Sequence, residues 1–279
     1  MRDGPTDRGR EAPPEIVVGL RPLLVFLVAT FALVWLAALP LGAASNVLAI
    51  VGQPSVVAFV VMALYVGRKG TTGLWRGGTR WRVGIGWYVV ALILPALAAG
   101  AGWVARSGFS FGTVTQPWLP AVASGLLAGI FEEFGWSGVA FPALQARLGF
   151  LLAGITVGVI WGLWHLPLLF ASSPALHESF SFIPFLLMVI PLRILFGWTY
   201  NGTGGSILIA VLFHASGDTW PPVLLGHVVA DTAWLVVILV YAVAVVTVLL
   251  NRRVSKRQRE SRTQAGPREV RHPRTGPPG

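Results

Sequence analysis

The sequence predicts an all-α protein that crosses a membrane about eight times, and three observations predict it. Hydrophobic residues make up 54% of the 279 and charged residues only 11%, against about 25% charged in a typical globular chain. Of the 11 acidic residues, only Glu132, Glu133, Glu178, Asp218 and Asp231 lie between the first and last apolar runs, too few to build a water-facing surface. The apolar residues also gather into runs of the length a helix needs to cross a bilayer, about 20 residues. Together these features exclude a soluble enzyme and a disordered chain.

Taken in order, the expected spans are 22–42, 46–66, 84–105, 119–142, 149–170, 181–200, 204–220 and 228–250. The first is preceded by charged residues, like a signal peptide. Its apolar run is longer than the 7–15 residues of a signal core, so it reads as a retained helix. The seventh is short and bounded by glycine. The chain therefore divides into an N-terminal tail (1–21), a transmembrane domain (22–250) and a basic, Pro- and Gly-containing tail (251–279) expected to be solvated and disordered. No internal repeat is visible.

The net charge of +10 follows this topology. With both termini cytoplasmic, nineteen of the 21 basic residues fall on the inside, including five between Arg68 and Arg82 and nine between Arg252 and Arg274. Arg106 alone lies in an outer loop, and Arg193 lies within the sixth span. Basic clusters beside apolar runs are topology signals and attract anionic lipid; they are not the folded basic face that nucleic acid requires. Cysteine is absent, which excludes disulfides, thiolate zinc sites and a cysteine nucleophile.

Ionisable side chains at membrane depth cost roughly 2.5–3.5 kcal/mol on insertion scales and are retained mainly where they pair, line a wet cavity or do chemistry. Four stretches carry them. Glu132 and Glu133 stand in Phe131-Glu132-Glu133-Phe134-Gly135-Trp136-Ser137-Gly138, midway along the fourth span. Adjacent helical residues point about 100° apart, so the two carboxylates face different neighbours and can take different roles, one of them as a general base. In the fifth span Trp161 and His165 are four apart and share a face, so the indole can roof the imidazole. In the seventh, His214 and Asp218 repeat that spacing. Glu132, His165, His214 and Asp218 form a set suited either to holding a divalent metal or to activating water without one. His227 and Asp231 have the same spacing, but at a span end, where polar residues are inexpensive, and are read as a helix-end pair.

These three motifs in this order resemble the CAAX prenyl protease and bacteriocin-processing family of intramembrane proteases (CPBP, or Abi). The family pattern is E-E-x-x-x-R, then F-x-x-x-H, then H-x-x-x-N or a similar polar residue. The matches are Glu132-Glu133 with Ser137, Trp161 with His165, and His214 with Asp218, over residues 119–219. The flanks Gly197-Trp198-Thr199-Tyr200-Asn201-Gly202 and Leu212-Phe213-His214-Ala215 agree as well. The resemblance implies a membrane endopeptidase in which Glu132 is the base on the attacking water and His165 helps hold that water. His214 and Asp218 would stabilise the oxyanion or contact a metal, and Glu133 would orient the site. The family has been described both as metal-dependent and as metal-free glutamate proteases. A divalent ion such as zinc, held by Glu132, His165, His214 and Asp218, therefore stands beside a metal-free site.

Two departures mark this chain. Ser137 occupies the family's arginine position, and Asp218 stands where asparagine is commoner. Charge pairing suggests that Arg193 supplies the missing cation from the sixth span; the other expectation is that Arg193 snorkels to the interface. The function expected is hydrolysis of a peptide bond in a membrane-associated or lipidated substrate, in a bacterial plasma membrane. Its partners would be the lipid bilayer and a peptide or protein near it, with no nucleic acid. The alternatives are a non-catalytic relative acting as an immunity or scaffold protein, and a proton-coupled transporter using Glu132, Glu133 and His165 as a relay.

Overall fold

The computed structural model describes residues 18–37, 53–107, 117–166, 182–225 and 232–264. Every regular element among them is helical: α1 (Leu20–Ala37), α2 (Pro54–Tyr65), α3 (Arg68–Gly78), α4 (Ile85–Ser107), α5 (Trp118–Gly135), a π-helical turn (Trp136–Ala140), α6 (Phe141–Trp164), α7 (Phe182–Gly202), α8 (Ile207–Leu225) and α9 (Thr232–Gln264). Six helical stretches are long and apolar enough to cross a membrane: Leu20–Ala37, Ile85–Arg106, Trp118–Trp164, Phe182–Gly202, Ile207–Leu225 and Ala233–Arg252. This is the fold of an integral membrane protein.

Its apolar surface fits that setting. On α9, Ala233, Trp234, Val237, Tyr241, Val245 and Val248 are buried, while Leu235, Leu239, Val243, Val246 and Leu250 are more than half exposed. Residues so spaced line opposite faces of one helix. In water the outer stripe would be an aggregation-prone patch; against acyl chains it needs no cover.

The expected spans and the helices differ at three places. The second expected span, 46–66, is represented among the described residues by the twelve-residue α2, which begins with Pro54 at its first position. A proline fits the first turn, where no intrahelical N–H is needed, and not the interior. The fourth and fifth expected spans lie on one stretch of 47 residues, Trp118–Trp164, whose helical geometry breaks at Gly149 (φ 75°, ψ 172°). That backbone conformation is open essentially to glycine alone. The last helix runs on to Gln264, past the expected boundary at 250. The remaining tail residues, 1–17 and 265–279, lie outside the described ones.

Two glycine stripes set the distances between helices. On α5, a Cβ at Gly125 would lie 2.6 Å from the Ala215 carbonyl oxygen, and one at Gly129 would lie 2.7 Å from that of Val211, so the backbones of α5 and α8 are in contact. On α6, Gly154, Gly158 and Gly162 meet Ile194, Ile190 and Leu186 of α7 in the same way. With no hydrophobic drive between helices in lipid, close approach over small residues supplies the packing. The first stripe continues at the same spacing of four to Glu133 and Ser137, which places a carboxylate one turn beyond the α5–α8 contact.

Replacing Gly129 with Leu should push α5 from α8 and lower stability by about 1–3 kcal/mol. Leu127→Ala, at an exposed position, should stay within about 0.5 kcal/mol. Denaturation of the purified protein in detergent measures both.

Candidate active site

Glu133 closes α5 in its last turn with a fully buried side chain. Its Oε1 accepts from Arg193 Nη2 at 2.7 Å and is paired with His214 Nδ1 at 2.7 Å. Its Oε2 accepts from Arg193 Nη1 at 2.9 Å and from the Ser137 hydroxyl. A carboxylate offers about four lone-pair sites, and here all four are taken. Removing charges from water is repaid only when geometry is good and the remaining lone pairs are filled; the forked Arg193 pair and the two further donors meet both conditions. Ser137 and Arg193 thus divide between them the cationic and donor roles around Glu133. Arg193 is 2% exposed, so it does not snorkel.

Trp161 holds the next layer. The Arg193 guanidinium carbon lies 4.0 Å over its ring and 4.5 Å over that of Phe196, two rings set nearly at right angles that both stabilise a buried cation through their quadrupoles. Arg193 Nε has no hydrogen-bond partner among the described residues, and the two rings cover it. The Trp161 indole N–H donates to Glu132 Oε2 at 2.6 Å, and its ring stands edge-on to His165 and His214, each with centroids 5.4 Å away. Beyond roofing His165, Trp161 therefore touches every charged group of the site except Glu133 and Asp218.

Glu132 and Glu133 have opposite fates. Glu132 Oε2 accepts from two indoles, Trp161 and, at 3.2 Å, Trp136. No hydrogen bond to its Oε1 is formed among the described residues. His165 Nδ1 donates to the Trp161 carbonyl at 2.9 Å, and its Nε2 makes no hydrogen bond among the described residues. Glu132, Trp161, His165, His214 and Asp218 all line one cavity of about 70 Å3. That is room for several waters, each needing some 10–15 Å3 by this measure. His214, 3% exposed, lies between two carboxylates: Nδ1 on Glu133 and Nε2 3.3 Å from Asp218 Oδ2. Asp218 is 46% exposed and marks the mouth.

The arrangement suits water held between a free carboxylate oxygen and a free imidazole nitrogen. Both His214 nitrogens face carboxylates, and among the described residues no group of three His, Asp or Glu side chains is placed to hold a metal ion. The structure brings all eight singled-out residues, Glu132, Glu133, Ser137, Trp161, His165, Arg193, His214 and Asp218, into one connected cluster. Glu178 and the His227–Asp231 pair lie outside the described residues. Two further residues belong to the cluster. Trp136 sits four after Glu132, as Ser137 sits four after Glu133, so the i,i+4 rule points to it. Tyr241 lines the cavity from α9 and carries no local signal.

The fold and cluster define a polytopic helical membrane protein with a buried carboxylate–guanidinium–imidazole centre. Comparison narrows the class: residues 113–220 match the family described as Type II CAAX prenyl endopeptidase Rce1-like. The chain is also 38% identical over 112 residues to CAAX prenyl protease 2 of Methanococcus maripaludis, a stretch covering 38% of this chain and 40% of that protein. The match therefore spans well under half the length of the curated relative. The family match takes in α5 through most of α8, and with them every cluster residue but Tyr241.

Arg193→Met should cost about 3–5 kcal/mol, because it strands a buried carboxylate. Adding Glu133→Gln should recover part of that loss, and a double-mutant cycle read by denaturation in detergent measures the coupling.

Proposed function

We propose that this protein is a membrane-embedded endopeptidase that hydrolyses a peptide bond in a membrane-associated or lipidated substrate. The observation that carries the reading is the unequal state of the adjacent glutamates: Glu133 is saturated by four hydrogen bonds from three residues, while Glu132 lines the cavity with its Oε1 unbonded among the described residues. In this mechanism a water between Glu132 Oε1 and His165 Nε2 gives a proton to Glu132 as its oxygen attacks the carbonyl carbon. His214, held at Nδ1 by Glu133, turns its Nε2 proton from Asp218 to the oxyanion that forms. Glu132 then returns the proton to the leaving nitrogen as the C–N bond breaks, so the acid–base cycle closes on one residue. Trp136 and Trp161 fix the Glu132 rotamer by their N–H groups and exclude lipid.

The similarity to a CAAX prenyl protease supports the reaction class, and a cavity at membrane depth supports a substrate presented from the bilayer. The span arrangement we favour is eight crossings with both termini in the cytoplasm of a bacterium, because nineteen of 21 basic residues then lie inside.

The test is Glu132→Gln in protein reconstituted in vesicles and given a lipid-modified peptide with a hydrophobic C-terminal segment, with products read by mass spectrometry. Cleavage should fall about 10²–10⁴-fold, the usual contribution of a general base, with the melting profile preserved. Cleavage at the wild-type rate would eliminate this mechanism. Asp218→Asn keeps an acceptor oxygen toward His214, so it should retain activity within about tenfold, the worth of one hydrogen bond; Asp218→Ala should lose more.

A further inference from the structure

The basic group between Arg68 and Arg82 takes no part in the site above. α3 turns Gly70, Leu74 and Gly77 inward and leaves Arg68, Lys69, Trp75 and Arg76 exposed. Just past its end, Arg76, Thr79, Arg80, Trp81 and Arg82 surround a shallow basin of about 310 Å3. The rim is built, not draped: Ser206 Oγ donates to the Arg80 carbonyl at 2.8 Å, and the Tyr88 hydroxyl donates to the Trp81 carbonyl at 2.6 Å. The Arg82 guanidinium lies 4.9 Å over the Trp81 ring. Arg80 Nε is buried with no hydrogen-bond partner among the described residues.

None of Glu132, Glu133 and Asp218 answers this charge. Glu133 and Asp218 pair with Arg193 and His214, and Glu132 lines the cavity. Three guanidiniums around one concavity form a phosphate-type site, since their planar forks match its oxygens. The setting names the source. Trp75 and Trp81 are 63% and 60% exposed, and Ile85, 78% exposed, opens the membrane-crossing α4. Exposed tryptophans at the start of a span sit at headgroup level, so the basin opens where lipid phosphates lie.

We propose that this basin binds the phosphate headgroup of an anionic phospholipid through Arg76, Arg80 and Arg82, with Trp75 and Trp81 seated in the interface beside it. The site stands on the rear wall of the catalytic cluster: a Cβ on Gly78 would meet the ring of Phe134, the neighbour of Glu133, and Leu74 and Ile207 close on Gly138 of the π turn. A bound lipid therefore clamps α3 onto the segment that carries both glutamates.

The test uses the full chain in nanodiscs of phosphatidylcholine alone or of phosphatidylcholine and phosphatidylglycerol in equal parts, released and weighed by native mass spectrometry. The wild type should retain phosphatidylglycerol selectively. The variant Arg76→Gln, Arg80→Gln, Arg82→Gln should bind it roughly a hundredfold more weakly, at about fivefold per basic residue, while Arg68→Gln, Lys69→Gln should retain it. Equal retention by the triple variant would overturn the site, and an equal loss in the Arg68, Lys69 variant would reduce it to diffuse charge. Displacement by equimolar glycerol phosphate would make a soluble phosphate the ligand and refute the lipid assignment. Should the triple variant fail to fold by gel filtration, Arg82→Gln alone, at an exposed position, should still weaken retention roughly fivefold.

Discussion

The carboxylate of Glu133 ties three helices at one point. Arg193 reaches it from α7 and His214 from α8, while Ser137 reaches it from the turn after its own helix. A buried carboxylate is tolerated because its partners fill its lone pairs, and Glu133 is the one contact that Arg193, His214 and Ser137 share. The interaction is costly to assemble and costly to break, which favours orientation over raw stability. The remainder of the site is suspended from it. Arg193, held by Glu133, supports the Trp161 ring, and Trp161 in turn directs an N–H at Glu132 and accepts His165 against its backbone.

That arrangement explains why two adjacent glutamates are useful at one position in a helix. The 100° between them sends one into the helix–helix contact and the other into the cavity. A single glutamate could not both brace the bundle and present a free oxygen. The π turn that follows at Trp136–Ala140 belongs to the same design: such turns are rare and concentrate at functional sites, and this one carries both Trp136 and Ser137, the local donors to the two carboxylates.

Much of this was legible in the sequence, for reasons that can be named. Charges in an apolar chain are conspicuous, so Glu132, Glu133, Asp218 and Arg193 identify themselves, and the spacing of four relates Trp161 to His165 and His214 to Asp218. What escaped reading has physical causes too. Hydropathy passes over Pro54 and Gly149 without notice, although one starts a helix and the other interrupts one. The glycines of α5 and α6 look like filler until the facing backbone is seen. Trp136 is apolar by any scale, and its indole N–H matters only because a carboxylate lies one turn before it. Tyr241 comes from the far end of the chain, and only tertiary packing brings it to the cavity.

The size of that cavity has a consequence for timing. The cavity has room for several waters, with Asp218 at its mouth and residues of α7 and α8 in its wall. In the function proposed above, a substrate would lie across the opening beside Asp218 or enter as α7 and α8 part. Where helices must part first, admission of the substrate can set the rate rather than bond breaking. The turnover of such a site would then follow the thickness and lateral pressure of the surrounding bilayer, which resist or assist helix separation, more closely than it follows the intrinsic reactivity of the bond being cut.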